Sequence, residues 1–152
     1  MKTFVSNSLE ETAQIASNWL VELSSTYTGS DEATVVGLSG HLGAGKTAFV
    51  KEAAKILGIE EDVTSPTFVI MKVYETRDSR MEIREWKHLI HIDAYRLERR
   101  EELEALDFES LVADSNNLIL IEWPENVAMN DFKELCSLKL DIQEGKRMIS
   151  IQ

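Results

Sequence analysis

Cysteine is nearly absent from this chain. Cys136 stands alone among 152 residues, so no internal disulfide can form and stability must come from a packed core. That usage points to a reducing compartment, and a cytoplasmic protein is expected. Long apolar runs are missing too. No stretch approaches the roughly 18 residues that cross a bilayer, and the opening MKTFVSNS has a lysine but no apolar h-region, so neither a membrane span nor a secretory leader is expected. Basic residues are scarce, 16 against 27 acidic ones, for a net charge of −11. Such a surface repels phosphate backbones and gains nothing from counterion release, so any link to nucleic acid should run through a partner protein. What remains, 43% hydrophobic and 28% charged residues, is ordinary globular composition. The length suits one domain, residues 1–152, with a real core.

Glycine is also sparse, yet three of the seven fall within six positions of GHLGAGKT, Gly40 to Thr47. Glycine costs backbone entropy, so a cluster implies that the main chain must approach something closely. Thr34–Leu38 before it is a short β-branched run. After it, Phe49, Val50, Ala53, Ala54, Ile56 and Leu57 keep helical spacing, with Gly58 as C-cap. The stretch therefore fits G-x-x-x-x-G-K-[ST] in the strand–loop–helix setting of a phosphate-binding loop. Gly40, Gly43 and Gly45 let the loop curl so that successive N–H groups point inward and, with the positive end of the helix, cradle an anion. Lys46 adds a mobile charge for the outer phosphates, and the Thr47 hydroxyl can join the octahedral shell of Mg²⁺.

Around this loop, Ser8-Leu9-Glu10-Glu11 has the form of a capping box, and Leu9 to Leu23 keeps helical spacing to about Ser25. Residues 26–33 form a polar linker. EEDVTSPT is a loop, Phe68–Tyr74 alternates like a strand, TRDSR is a turn, and MEIREW is its expected hairpin partner. His88–Tyr95 is a strand, 98–113 a charged helix, and Asn117–Glu122 (NLILIE) a strand apolar enough to be buried on both faces. The end of the chain suggests two strands around Glu144-Gly145. Strands alternating with helices imply an α/β fold: a P-loop NTPase-like three-layer sandwich with a mixed, largely parallel central sheet and a C-terminal hairpin.

A magnesium-nucleotide site needs an acid near the carboxyl end of a neighbouring strand. Asp93 closes HLIHID and Glu122 closes NLILIE, which makes both candidates for catalysis and, with Thr47, for the metal. His91, Asp93 and Tyr95 share one strand face, so His91 is expected to orient the Asp93 carboxylate. His88 and His91, three apart on a strand, point to opposite faces and do not make a zinc pair. Thr64, Ser65 or Thr67, beside the stiffening Pro66, could sense a γ-phosphate through a hydroxyl. No Asn/Thr-Lys-x-Asp guanine reader is present. Its nearest imitation, Leu138-Lys139-Leu140-Asp141, begins with a leucine that offers no polar contact, which favours ATP over GTP.

Four stretches, GHLGAGKT, TSPTF (64–68), HIDAYRL (91–97) and IEWPE (121–125), in that order and spacing, resemble the bacterial ATPase family of tRNA threonylcarbamoyladenosine biosynthesis, the TsaE or YjeE-like P-loop ATPases. The opening SLEETAQIA is similar to that family's first helix. The resemblance implies a small ATPase with ATP and Mg²⁺ as cofactors. Its implied partners are the threonylcarbamoyl transferase and the transferase's non-catalytic paralogue, with tRNA met only indirectly through that complex and no membrane involved. Those proteins install N6-threonylcarbamoyladenosine beside the anticodon of tRNAs that read codons starting with A. The resemblance implies that the ATPase is not the transferase and that its ATP binding and hydrolysis would reset the complex between turnovers. Carried over by position, Lys46 and the backbone of 43–48, Ala44 and Ala48 included, would hold phosphates. Thr47 and Glu122 would approach Mg²⁺, Asp93 would be the Walker-B-like acid, and Trp123 a functional aromatic. The base would lie near Glu11 or Thr12 and Arg147.

Three departures stand out: Ala48 where threonine is usual, Asp107 where glycine is common, and a longer 76–88 segment. Two other functions compete. One is a small-molecule P-loop kinase with Arg96, Arg99 and Arg100 as a phosphoryl clamp. The other is a GTPase-like switch.

Overall fold

NLILIE is buried along its whole length, paired with a strand at each edge and packed against helices on both faces. The computed structural model describes residues 1–77, 85–129 and 136–152. The strands are β1 (Lys2–Ser6), β2 (Thr34–Ser39), β3 (Met71–Glu75), β4 (His88–Asp93), β5 (Asn117–Glu122), β6 (Cys136–Gln143) and β7 (Lys146–Ile151). The helices are α1 (Leu9–Thr26), α2 (Lys46–Ile56), α3 (Glu101–Glu104) and α4 (Phe108–Val112), with a 3₁₀ turn at Pro124–Val127.

One sheet runs β1-β7-β6-β2-β5-β4-β3. Its centre, β6-β2-β5-β4, is parallel, and the pairs β1–β7, β6–β7 and β3–β4 are antiparallel. The expected mixed sheet and C-terminal hairpin are both present. Side-chain alternation on β5 splits the core in two. Leu118 and Leu120 pack with Trp19 and Leu20 of α1 and Phe49 of α2. Ile119 and Ile121 pack with Leu103 of α3 and Phe108 of α4 on the opposite face. The register aligns three strand ends, with Glu122 opposite both Leu38 of β2 and Asp93 of β4. That alignment gathers the chemistry at one edge of the parallel centre.

Several expectations are corrected. The first strand, β1, was not anticipated. At the start of α1 the Ser8 hydroxyl accepts from the Glu11 N–H at 3.1 Å, as a capping box requires. The Glu11 carboxylate instead accepts from the Asn7 N–H (2.7 Å) and Asn7 Nδ2 (3.0 Å), one residue earlier than expected. The helix expected over 98–113 is two short pieces, broken where Asp107 adopts a left-handed conformation at φ 57°. A glycine suits that conformation better, and a short polar side chain is the usual substitute. The strand expected from Phe68 begins only at Met71, because Ile70 also turns left-handed, φ 69°. β4 stops at Asp93, two residues short of Tyr95. Most of the TRDSR turn and most of the MEIREW hairpin strand lie outside the described residues. β3 pairs directly with β4.

Candidate functional site

β2 ends at Ser39 and the loop Gly40–Gly45 carries the chain to α2. Its glycines serve different ends. Gly40, at φ 139°, passes over β6 so closely that a Cβ would lie 2.1 Å from the Leu140 carbonyl oxygen. Gly45, at φ 96°, caps α2 and lies under the Arg147 guanidinium, whose Nε would be 2.5 Å from a Cβ. Gly43, at φ 82°, has open space beside it and faces the cleft. Ala44 is buried, its N–H closing a turn on His41 O at 3.0 Å.

Lys46 folds back over this loop. Its Nζ donates to Gly40 O (2.6 Å) and His41 O (3.1 Å) and lies 4.0 Å from the centre of the Trp123 ring. The residue is only 4% exposed. Burial lowers its pKa from the ordinary lysine value, against the opposing pull of Glu122, Glu125 and Asp93. Trp123 follows β5 in a left-handed conformation, φ 59°, and its ring leans on Tyr95 with centroids 5.1 Å apart.

The two strand-end acids have separate surroundings. Glu122 is buried, and its Oε1 accepts from Thr47 Oγ1 at 2.9 Å and from His91 Nε2 at 2.7 Å. His91 thus serves Glu122 rather than Asp93, as the sequence had suggested, because parallel pairing sets β5 beside its ring. Asp93 Oδ1 accepts from the Tyr95 N–H (2.9 Å), which turns the chain out of the strand. Its Oδ2 accepts from Thr67 Oγ1 at 2.6 Å, with Ser65 Oγ farther off at 3.5 Å. Ser65 and Thr67 therefore reach the site, whereas the Thr64 hydroxyl accepts from Lys72 Nζ at 2.6 Å. Ile70, a β-branched residue strained at positive φ, anchors the same loop by accepting from the Asp93 N–H at 2.8 Å.

Gly43, Gly45, Lys46, Thr47, Ser65, Thr67, Asp93 and Glu122 line a cleft of about 270 Å³, together with Leu42, Ala48, Tyr95 and Trp123. Gly40 and Ala44 do not line it; they shape the loop from behind. Ala48 offers the cleft only a methyl, in line with the departure noted in the sequence. Leu42 was missed by the sequence reading, since an exposed leucine in a polar loop has no periodic partner to mark it. Arg147, from β7, bridges to a second hollow of about 180 Å³ formed by Ser6–Leu9, Ile142 and Gly145. Its Nη1 donates to Thr12 Oγ1 at 2.9 Å. Thr12 is fully buried, its hydroxyl also meeting Ser6 Oγ and Ser8 O, so it props Arg147 and does not face either hollow.

The donor set fits a hard cation. Thr47, Glu122 and Asp93 offer only oxygens, and among the described residues no group of three or more His, Cys, Asp and Glu could hold a metal unaided. Magnesium held through one or two carboxylates plus phosphate oxygens has this character. A curled main-chain loop, an ammonium and strand-end carboxylates grouped in this way suit the phosphate tail of a nucleotide. They place the chain among the α/β P-loop nucleotide-binding proteins.

Comparison with known proteins narrows the class. The family model described as "Threonylcarbamoyl adenosine biosynthesis protein TsaE" matches residues 6–149, and the chain belongs to that family. The tRNA threonylcarbamoyladenosine biosynthesis protein TsaE of Treponema pallidum is 37% identical over 123 residues, covering 80% of this chain and 83% of its own. Its Streptomyces coelicolor counterpart is 37% identical over 112 residues, covering 73% and 70% respectively. The crystal structure of Bacillus subtilus YdiB superposes with a TM-score of 0.64 at 25% identity, covering 99% of this chain and 83% of that one.

Proposed function

We propose that this chain is a single-domain ATPase required for tRNA N6-threonylcarbamoyladenosine modification. It binds and hydrolyses Mg²⁺-ATP to drive turnover of the threonylcarbamoyl transferase and its non-catalytic paralogue. The observation that carries the reading is the contact between Thr47 of the loop and Glu122 of β5, beside buried Lys46. The magnesium ion would neutralise charge on the outer phosphates. The loop N–H groups over 43–48 hold the phosphate chain, and Lys46 exchanges its carbonyl partners for phosphate oxygens. Thr47 and Glu122 supply metal ligands, with Asp93 next to them. Asp93 also ties down Thr67 and Ser65, so that loop is placed to respond to the γ-phosphate. The base belongs in the hollow beside Arg147. Thr12 contributes by holding the guanidinium.

Partner-driven turnover is supported by exposed apolar side chains at the cleft (Leu42 and Tyr95) and directly after the lining residue Thr67 (Phe68 and Val69). Phe68 is 83% exposed and Leu42 74%, with Val69 and Tyr95 also exposed. Large apolar groups clustered on a surface favour a protein partner. Among the described residues no helix is long and apolar enough to cross a membrane. The kinase reading loses its clamp. Arg96 stacks on Phe68 at 4.6 Å, and none of Arg96, Arg99 and Arg100 lines the cleft. The GTPase reading fares no better, since Leu138 and Leu140 are core residues of β6 and not part of a base-reading loop.

Calorimetry of ATP binding to the wild type and to Lys46→Ala tests the nucleotide. Phosphate release with and without the transferase pair tests the activity, and nucleoside analysis of tRNA from depleted cells tests the pathway. Unchanged threonylcarbamoyladenosine after depletion would refute the reading.

A further inference from the structure

His91 is fully buried in β4 and does not line the cleft, yet it is tied to a group that does. Its Nε2 lies 2.7 Å from Glu122 Oε1, the oxygen that also accepts from Thr47 Oγ1. A carboxylate only accepts, so the ring nitrogen donates. His91 Nδ1 has no partner among the described residues, which leaves Glu122 as the ring's one side-chain anchor. In the parallel register His91 is opposite Leu120 and Asp93 is opposite Glu122. The imidazole therefore reaches diagonally along the β4–β5 seam to a carboxylate two positions on. A carboxylate at a strand end rotates freely about its last torsion unless something fixes it. Here a rigid ring, locked by packing, fixes it from behind.

We propose that His91 is a positioning residue for magnesium-dependent nucleotide binding. Its Nε2–H···Oε1 bond holds the Glu122 carboxylate against the Thr47 hydroxyl, so that the two oxygen ligands are arranged before the metal–nucleotide arrives. The proposal rests on the Mg²⁺-ATP reading above. It differs from a purely structural role in one respect: losing the bond weakens the magnesium-dependent part of affinity and spares the rest.

The test measures binding of a non-hydrolysable ATP analogue to the full chain, once with Mg²⁺ and once with EDTA. The quantity compared is the ratio of the two affinities. For His91→Phe and His91→Asn, whose side chains cannot donate to Oε1, the ratio falls about tenfold, the scale of one charge-assisted hydrogen bond. Affinity in EDTA stays within about twofold of the wild type on the same reasoning. His91→Gln, whose amide nitrogen reaches the Nε2 position, restores the ratio. Wild-type ratios in His91→Phe and His91→Asn overturn the proposal, as do equal losses with and without Mg²⁺ or a folded His91→Gln that restores nothing. If the wild type binds no nucleotide, the Mg²⁺-ATP reading fails first and takes this one with it. If the wild type binds and His91→Asn keeps its ratio, this one alone fails. Should the variants not melt cooperatively, imidazole ¹⁵N spectra of the wild type decide. The Nε2 resonance moves when analogue and Mg²⁺ are both added but not with analogue in EDTA, and an unmoved resonance overturns the proposal.

Discussion

Replacing Gly40, Gly43 and Gly45 singly by alanine should destabilise the protein by three different amounts. Gly43 has positive φ, 82°, and nothing within 4 Å of a Cβ, so its variant bears only the backbone cost, about 1–2 kcal/mol. Gly45 bears that cost and also displaces the Arg147 guanidinium, 2.5 Å from the new methyl, from its 2.9 Å bond to Thr12. A hydrogen bond to a charged group contributes about 1.5–3 kcal/mol net, which brings the Gly45 variant to about 2.5–5 kcal/mol. At Gly40 the obstacle is main chain, the Leu140 carbonyl oxygen 2.1 Å away, and it cannot swing aside. Either β6 or the loop must move, for about 4 kcal/mol or more, a large part of the roughly 5–15 kcal/mol that holds a domain together. Urea unfolding followed by tryptophan fluorescence gives the Gly43 variant the smallest cost and the Gly45 and Gly40 variants larger ones, at a common slope. A second cycle isolates the Arg147 component. On an Arg147→Ala background the Gly45 variant should cost only the backbone amount, about 1–2 kcal/mol. A Gly43 variant as damaging as the Gly40 one, or a Gly45 penalty indifferent to Arg147, would refute the reasoning.

Lys46→Ala should weaken ATP binding about 10- to 150-fold, the equivalent of one charge-assisted hydrogen bond, with calorimetry as the check. Burial holds the Lys46 pKa below 10.5. The ammonium is therefore intact below that depressed pKa and lost as pH rises through it, so ATP affinity should decline at a lower pH than a free lysine allows; a profile flat to beyond 10.5 would contradict this. Thr67→Val, which removes the 2.6 Å bond to Asp93, should slow phosphate release about tenfold while leaving ATP affinity nearly unchanged. The Asn7 N–H and side-chain amide hold the Glu11 carboxyl below its ordinary pKa. That stabilisation is present above the ordinary value and lost as pH falls through the depressed one, so Glu11→Gln should flatten the acid limb of thermal stability. An unchanged limb would dispose of the idea.

What was legible in the sequence was whatever depends on neighbours in the chain. The phosphate loop shows itself through glycine spacing, and β5 through six consecutive residues that tolerate burial on both sides. The hairpin turn shows itself through Glu144 and Gly145, both of which have positive φ. β1 escaped notice because four of its five residues are exposed and its partner is β7, at the other end of the chain. The partner of His91 was misassigned for a related reason. Strand periodicity places His91 and Asp93 on one face, but only the pairing of β4 with β5 brings Glu122 nearer to the ring. Asp107 and Ile70 broke elements that composition made look continuous. Each occupies a left-handed conformation, which an aspartate tolerates but does not demand and which a β-branched isoleucine gives no sign of.

The common finish line of β2, β4 and β5 makes the cleft a gauge of strand alignment. Thr47 and Glu122 meet although 75 positions apart in the chain, and Asp93 joins them only through a third strand. Sliding β5 by a single step would bring Ile121 or Trp123 to the place of the carboxylate and turn Glu122 toward the opposite helices. Without β2, β4 and β5 in register the strand-end groups do not meet. Ligand affinity during refolding should therefore emerge together with the pairing of those three strands.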